Sequence, residues 1–434
     1  MKLTEGIYFF KSGENTYLRN VNNARDYLFN EIVFDILTIM RDNNECDLEI
    51  ICNQLSLIYD VENDCELKED VSCFLQALLK EGIMTVDDSV NEKSETDVSS
   101  LISKERGDNN SLFSASLELT YRCNEKCIHC YVDDCPANNE NELTFDEYKQ
   151  ILHQLKDMGC VYLLLTGGEV CLRKDFIEIA QYAVSLGFLV DIYTNGISIT
   201  DEQFDELCAM KINSISFSLY SGEASVHDSI TKVSGSFELT LKRAMMFKCA
   251  GVDTFIKAVA IEQNYEHLES LYQLGRRIGI KVNVAVLISN THSGTSTNTY
   301  RLKNQEQRRK VMNLVNKYAP SSRAGGKRDL SLNICSAAFN SLSIDPYGGV
   351  HPCLAFVKSA GSIRKSKIKD IWEKSKFMQE VRALRFTDLG EKCRNCKDID
   401  SCTVCIGSAY GEFKKFSPNK DACEWTEIEK EIAT

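Results

Sequence analysis

The stretch Cys123-Asn124-Glu125-Lys126-Cys127-Ile128-His129-Cys130 begins one residue beyond the run Leu117-Glu118-Leu119-Thr120-Tyr121. Three cysteines, separated by three and then two residues, stand on a loop that leaves a predicted strand. Three thiolates can hold three irons of a four-iron cluster and leave the fourth open to bind and reduce a small molecule. Zinc is the competing metal. It takes four ligands, usually as two Cys-x-x-Cys pairs or with histidines at zinc spacing, and here only His129 lies among the cysteines.

At 434 residues the chain exceeds what one core usually serves, so two or three domains are expected. A net charge of −13 argues against nucleic acid or an anionic membrane as the main partner. No signal peptide and no membrane-spanning apolar run is evident, which sets the expectation of a cytoplasmic protein. In a reducing compartment the 19 cysteines read as metal ligands rather than as disulfides. Three form the opening cluster. Seven lie near the C-terminus: Cys335, Cys353, Cys393, Cys396, Cys402, Cys405 and Cys423. Of the scattered remainder, Cys73, Cys160, Cys208 and Cys249 are expected in cores, and Cys135 and Cys171 near the site.

Residues 1–86 read as a small domain. Ile7–Phe10 and Tyr17–Val21 flank a turn-rich spacer and predict a hairpin. Leu28, Ile32, Val33, Ile36, Leu37 and Met40 predict a first helix, and two more follow. A hairpin with three helices is winged-helix-like. DNA binding is the usual role of such a shape, but the acidic residues of 42–70 oppose it. The alternative is an edge strand, Tyr17–Val21 or the one facing it, that pairs with an extended peptide. Residues 87–112 are polar and read as a linker. From Ser116, six strand–helix units follow in series, which predicts a parallel sheet. Two units short of an eightfold barrel, it should be an open, partial (β/α)6 TIM-like barrel over residues 113–320. Residues 321–434 are cysteine-rich and loop-rich, with one helix around Ile368–Leu384. The fold class is therefore α/β.

Cys123, Cys127 and Cys130, followed by Tyr131, resemble the signature of the radical S-adenosylmethionine (radical SAM) enzymes. The resemblance implies that SAM chelates the open iron and is reductively cleaved, giving a 5′-deoxyadenosyl radical that removes hydrogen from a substrate; Tyr131 joins the cofactor-binding set. Thr166-Gly167-Gly168-Glu169 resembles the family's segment for the SAM amino group, with Val170 where proline is usual. Thr194-Asn195-Gly196 and Ser218, by the same resemblance, contact the SAM ribose and carboxylate. Arg243 is either a carboxylate partner or a solvated helix arginine. His227-Asp228 is either a pair within reach of substrate or a loop hydrogen-bond pair.

The C-terminal cysteines resemble the SPASM extension of peptide-modifying radical SAM enzymes, with two residues instead of three before Cys405. A zinc ribbon is the alternative. The SPASM resemblance implies three [4Fe-4S] clusters in all. Cys393, Cys396, Cys402 and Cys423 would ligate the outer auxiliary cluster; Cys335, Cys353 and Cys405 would ligate the inner one. Some relatives have a fourth inner cysteine where this chain has Ser341, so the inner cluster is expected to have an open iron. The N-terminal module then resembles the PqqD-like leader-recognition domain of ribosomal-peptide maturases, such as the sactipeptide and ranthipeptide synthases. The implied function is thioether formation between a precursor cysteine and a precursor carbon. An electron donor such as flavodoxin or ferredoxin is implied with it. Carbon–carbon crosslinking, another peptide oxidation, or a non-catalytic iron–sulfur redox regulator are the alternatives.

Overall fold

The chain divides into two units, Met1–Asn109 and Asn110–Thr434. A computed structural model describes residues 1–4, 7–12, 15–20, 25–43, 46–59, 61, 63–85, 112–132, 141–288, 291, 298–319, 330, 333–418 and 420–433. Cys135, Val21 and all of the expected linker except Leu112 lie outside them.

In the first unit, β1 (Lys2–Leu3) leads to β2 (Ile7–Ser12), β3 (Asn15–Asn20) and β4 (Arg25–Asn30). Helices α1 (Glu31–Asp42), α2 (Leu48–Ile58) and α3 (Asp64–Lys80) follow, and β5 (Met84–Thr85) pairs with β1. The sheet runs β2-β3-β4, antiparallel throughout. Two expectations change. Leu28 is in strand β4, opposite Tyr17, and not in the first helix. The apolar run there fits period 2 as well as 3.6, and sheet pairing decides. Strand β3, which carries Tyr17, is bonded on both sides, so its backbone is unavailable as an edge; β2 and β4 are the edge strands. Leu18, Leu37, Ile51, Leu55 and Leu78 fill the core between sheet and helices.

In the second unit, β6 (Ser114–Glu118) starts the alternation: α4 (Phe145–Asp157), β7 (Tyr162–Thr166), α5 (Phe176–Ser185), β8 (Leu189–Thr194), α6 (Asp201–Ala209), β9 (Ser214–Ser218), α7 (Ala224–Thr231), α8 (Ser236–Cys249), β10 (Thr254–Val259), α9 (Leu268–Ile278) and β11 (Lys281–Ala285). Capping boxes at Thr144–Glu147 and Thr200–Gln203 start α4 and α6, each satisfying otherwise free backbone N–H groups. The six strands are parallel and neighbour one another in sequence order. Successive side chains take opposite faces. Phe217 packs on Phe247 of α8 and marks the helix-covered face, which its register partners Thr194 and Ile256 share. The opposite, inner face carries Glu118, Thr166, Tyr193, Ser216, Ser218 and Lys257. The mixed α/β class and the parallel sheet are as expected.

After α10 (Gln305–Tyr318), β12 (Ser341–Ile344), β13 (Gly349–His351) and β14 (Gly361–Ser362) extend the same sheet. Strand β12 runs parallel to β6, and β13 and β14 return antiparallel, giving the order β11-β10-β9-β8-β7-β6-β12-β13-β14. The single helix expected over Ile368–Leu384 is two, α11 (Ile368–Lys374) and α12 (Lys376–Ala383), parted at Ser375, whose backbone is extended. The short α13 (Glu391–Arg394), then α14 (Ile406–Phe413) and α15 (Lys420–Ala433), follow. Cys160 is buried as expected, whereas Cys73 and Cys249 are exposed. Among the described residues no helix is long and apolar enough to cross a membrane.

Helix α15 is clamped to α10 by Arg308, which is buried and reaches Asp421 and Glu424 at 3.0 Å each. Its guanidinium also lies 5.9 Å from the Trp425 ring centroid. Cys423 sits between the two acidic partners. Replacing Arg308 with Ala strands two half-buried or buried carboxylates, and such a loss costs about 3–5 kcal/mol. Arg308→Ala should therefore lower the urea midpoint well below that of Arg308→Lys; equal midpoints for wild type and Arg308→Ala would refute the clamp.

Candidate active site and cluster-binding sites

The cysteine loop is held from three directions. Beneath it, the turn after β7 lies against the extension of β6: the Gly168 N–H donates to the Thr120 carbonyl (2.7 Å) and the Glu169 N–H to the Arg122 carbonyl (2.8 Å). A Cβ on Gly167 would stand 2.4 Å from the Thr120 oxygen, and one on Gly168 would stand 2.3 Å from the Arg122 oxygen. Gly167 also has φ +131°, so both positions require glycine. The close approach made by these glycines is to the chain's own backbone. From the side, Lys126 and Ile128 donate their N–H groups to the carbonyls of Thr231 and Ile230, at the end of α7 (2.9 and 3.1 Å). From the β8 rim, Asn195 donates its amide to Asn124 Oδ1 (2.6 Å), and Asn124 donates to Ser198 Oγ (2.7 Å).

Glu169 joins the second and third strands. Its buried carboxylate accepts from the Thr194 hydroxyl (2.6 Å), the Asn195 N–H (2.6 Å) and the Cys171 thiol (2.9 Å). Burial raises its pKa, and these donors counter the rise. Tyr131 donates to Glu118 Oε1 (2.9 Å), which brings the loop onto the inner face of the sheet. Ser218 ends β9 on the same face. Arg243 behaves differently: it pairs with Asp201 (3.1 Å) and donates to the Ile199 carbonyl (2.7 Å). His227 and Asp228 both lie on α7 and serve neighbouring backbone. His227 Nδ1 accepts from the Tyr220 N–H (3.1 Å), and Asp228 accepts from the Gly235 and Phe237 N–H groups (2.6 and 3.0 Å).

The thiols of the loop share one environment. Cys123 is pushed up to about 12, chiefly by burial and then by Glu169, Glu125 and Cys130. Cys127 is raised further, by burial, Glu125, Cys130 and Cys123. Glu125 itself is pushed up to about 7 by burial. Its Oε2 accepts from the Cys127 thiol (3.3 Å), while its buried Oε1 has no hydrogen-bond partner. His129 packs edge-on against Tyr220 (4.7 Å), and burial lowers it to about 4, so it is neutral. Thiols in such a setting ionise only when a cation binds them. Among the described residues no three His, Cys, Asp or Glu side chains are gathered closely enough to hold a metal ion. Three mutually interacting thiols over a glycine turn, beside an orphaned carboxylate oxygen, fit a larger iron–sulfur cluster.

The C-terminal thiols fall into two groups. Cys353, pushed up to about 12 by burial, is raised again by Cys405 and Cys335, and Cys335 by burial and Cys405. Cys393 is raised by burial, then by Cys402, Cys423 and Cys396. Cys423 is raised by burial, then by Cys402 and Cys396. Cys335, Cys353 and Cys405 thus act electrostatically on one another, and Cys393, Cys396, Cys402 and Cys423 form a second such set.

Residues 117–275 match the radical SAM superfamily, and residues 335–397 match SPASM, the iron–sulfur cluster-binding domain. The chain carries a radical SAM domain followed by a SPASM domain. These domains imply [4Fe-4S] clusters and SAM as cofactors. The chain is similar to an AdoMet-dependent heme synthase of Methanosarcina barkeri, 24% identical over 70% of this chain and 94% of that one. It is also similar to the antilisterial bacteriocin subtilosin biosynthesis protein AlbA of Bacillus subtilis, 27% identical over 73% of this chain and 71% of that one. In fold, the chain is similar to Streptococcus suis SuiB, solved bound to the precursor peptide SuiA. The TM-score is 0.67 at 18% identity, over 97% of this chain and 99% of that one.

Two parts of the site escaped the sequence reading. Helix α7 is only eight residues long; its signal was Val226 and Ile230 at helical spacing. The inner-face groups Glu118, Tyr193 and Lys257 were passed over as parts of apolar strand runs. A charge inside such a run marks a residue facing a lumen rather than helices.

Glu118 gives a pH prediction for the radical SAM domain. Burial pushes it up to about 7, with Tyr131 and Tyr121 donating to it. An unfolded glutamate titrates near ~4.3. Between those values the unfolded chain releases the proton and the folded chain keeps it. Stability therefore falls as pH rises through this window and is level on either side, a loss on the order of 3 kcal/mol. Glu118→Gln should remove that component, seen as a smaller drop in urea midpoint between pH 5 and pH 7.5. Parallel pH profiles for variant and wild type would refute it.

Proposed function

We propose that this chain is a radical SAM maturase of a ribosomally synthesised peptide that forms intramolecular thioether bridges from cysteine sulfur to a precursor carbon. Three [4Fe-4S] clusters serve it. Cys123, Cys127 and Cys130 hold the one that works with SAM; Cys335, Cys353 and Cys405 hold an inner auxiliary cluster; Cys393, Cys396, Cys402 and Cys423 hold an outer one. When bound, the first cluster and SAM supply a 5′-deoxyadenosyl radical that takes a hydrogen atom from the substrate carbon.

One observation carries the thioether reading. The inner group contains three thiols, and Ser341, six residues after Cys335, donates its hydroxyl to the Ser336 carbonyl (3.0 Å). A fourth ligand is left to come from outside, and a precursor cysteine thiolate is a fitting one. Ser341 begins β12, which bonds directly to β6, the strand that feeds the cysteine loop. Cys353 follows β13 by two residues. The two sites therefore hang from adjacent strands of one sheet.

The chain's own residues bind and orient. Glu169 fixes the Thr194–Asn195 rim, the glycine turn supports the loop, and Tyr131 closes the inner face. The N-terminal unit is proposed to take the leader peptide along the free edge of β2 or β4. A flavodoxin or ferredoxin supplies the electron. The relation to AlbA, named for subtilosin biosynthesis, and the fold shared with peptide-bound SuiB support a peptide substrate.

Mass spectrometry of a co-expressed precursor should show the loss of two hydrogens per bridge, with the bridged cysteines inert to iodoacetamide. Loss of hydrogens with every cysteine still alkylated would favour carbon–carbon crosslinking instead. Changing Cys123, Cys127 and Cys130 together to Ala should abolish 5′-deoxyadenosine formation from SAM while auxiliary iron is retained. Undiminished SAM cleavage in that variant would overturn the ligand assignment.

A further inference from the structure

Lys257 is a cation on the inner face of the barrel sheet, and the proposed chemistry gives it no task. It stands on β10 in register with Ser218 of β9, opposite the helix-covered face marked by Ile256 and Phe217. Its ammonium donates to the Tyr193 hydroxyl and lies 4.1 Å from the Tyr193 ring centroid. Among the described residues no carboxylate lies within ion-pair distance of it. The nearby inner-face acid on β8, Asp191, is already engaged by Asn213 and Ser214 (2.6 Å each). Arg243 is turned to Asp201 and Ile199. Lys281 shares this face by register with Phe255 but is exposed at the start of β11, so among the described residues Lys257 is the cation that stands beside Tyr193 and Ser218 to meet a bound anion.

An ammonium has three donors, and one is used here. The Tyr193 hydroxyl, having accepted from Lys257, still has its own proton to donate. The pair presents N–H and O–H donors side by side with a single positive charge. A planar monoanion with two acceptor oxygens answers that arrangement best, because charge-assisted hydrogen bonds to both oxygens form at once. Tyr193 precedes Thr194 in β8 and shares the inner face with Glu118, which Tyr131 meets from the cysteine loop. The pair thus belongs to the reacting side of the sheet.

We propose that Lys257 and Tyr193 form a carboxylate seat that determines specificity for the reaction. The proposal rests on the radical SAM peptide reading. The carboxylate comes from an acidic side chain of the precursor, next to the carbon that reacts, or from the methionyl end of SAM. The two sources are separable.

The test uses reconstituted holoenzyme of wild type, Lys257→Met, Lys257→Arg and Tyr193→Phe, accepted only at wild-type iron content. If Lys257→Met does not load iron, the other two variants carry the comparison. In the first arm, equilibrium dialysis measures the affinity for SAM against that for decarboxylated SAM. Should SAM be the source, wild type prefers SAM and Lys257→Met loses that preference by about 10- to 100-fold, the range expected for a hydrogen bond to a charged group. Lys257→Arg restores most of it. In the second arm, precursor acidic residues are changed one at a time to amides. Should the peptide be the source, SAM binding is unaffected, and one amide change raises KM or lowers kcat about 10- to 100-fold in wild type but adds nothing in Lys257→Met. Tyr193→Phe shows a smaller loss in the same arm. A merely structural Lys257 would leave both preferences intact, and that result overturns the proposal. Should no peptide be modified at all, the proposed function fails separately, and the SAM arm alone decides: an unchanged preference there overturns the seat.

Discussion

Strand β6 is hydrogen-bonded on both sides, to β7 and to β12, and the rest of the site depends on that double pairing. Its extension launches the cysteine loop. The glycine turn after β7 can reach the Thr120 and Arg122 carbonyls only because β6 and β7 are locked in register. On its other side, β12 carries the start of the SPASM elements into the same sheet. A slip of one residue in either pairing would send Glu118 to the helix-covered face and aim the loop away from Glu169. The radical site and the inner thiol group are thus positioned by one element rather than by a flexible join.

The electrostatics of the rim follow from the same packing. Glu125 and Glu169 are buried against thiols and Glu118 beneath Tyr131, and burial raises every one of them. Neutral hydrogen-bond donors such as Thr194, Asn195 and Tyr131 ease this charge without removing it. A cation-bearing cluster is the natural complement, since metal charge inverts the penalty that burial places on thiolates. Such a site is stable as a set of protonated groups when empty and as a set of ionised ones when filled.

Much of this architecture was legible in the chain. Helix and strand periods gave the six parallel units, and the Cys123, Cys127 and Cys130 spacing gave the loop. The C-terminal cysteines were legible as a set, and they influence one another's ionisation in the two groups the resemblance names. What was not legible was set by partners distant in sequence. Leu28 went into a strand because β3 was there to pair with it. The three strands that extend the sheet through β12 are too short to announce themselves. Asn195 and Glu169 were expected to face a ligand, yet much of their hydrogen-bonding capacity is taken up within the protein. Lys257 was hidden inside an apolar run whose two faces a linear reading does not separate.

The Arg308 clamp bears on how the protein matures. Cys393, Cys396 and Cys402 lie on short turns around α13, but Cys423 arrives only when α15 docks on α10 between Asp421 and Glu424. Under the proposed ligand set, three thiols of the outer group can be gathered locally and the fourth cannot. Completion of that cluster is therefore conditional on a long-range folding event. Until the helix seats, an incoming cluster would have an exposed iron and be vulnerable to oxygen; once seated, metal and helix hold each other in place. Under that ligand set, completing the outer cluster would require the Arg308 ion pairs to be in place.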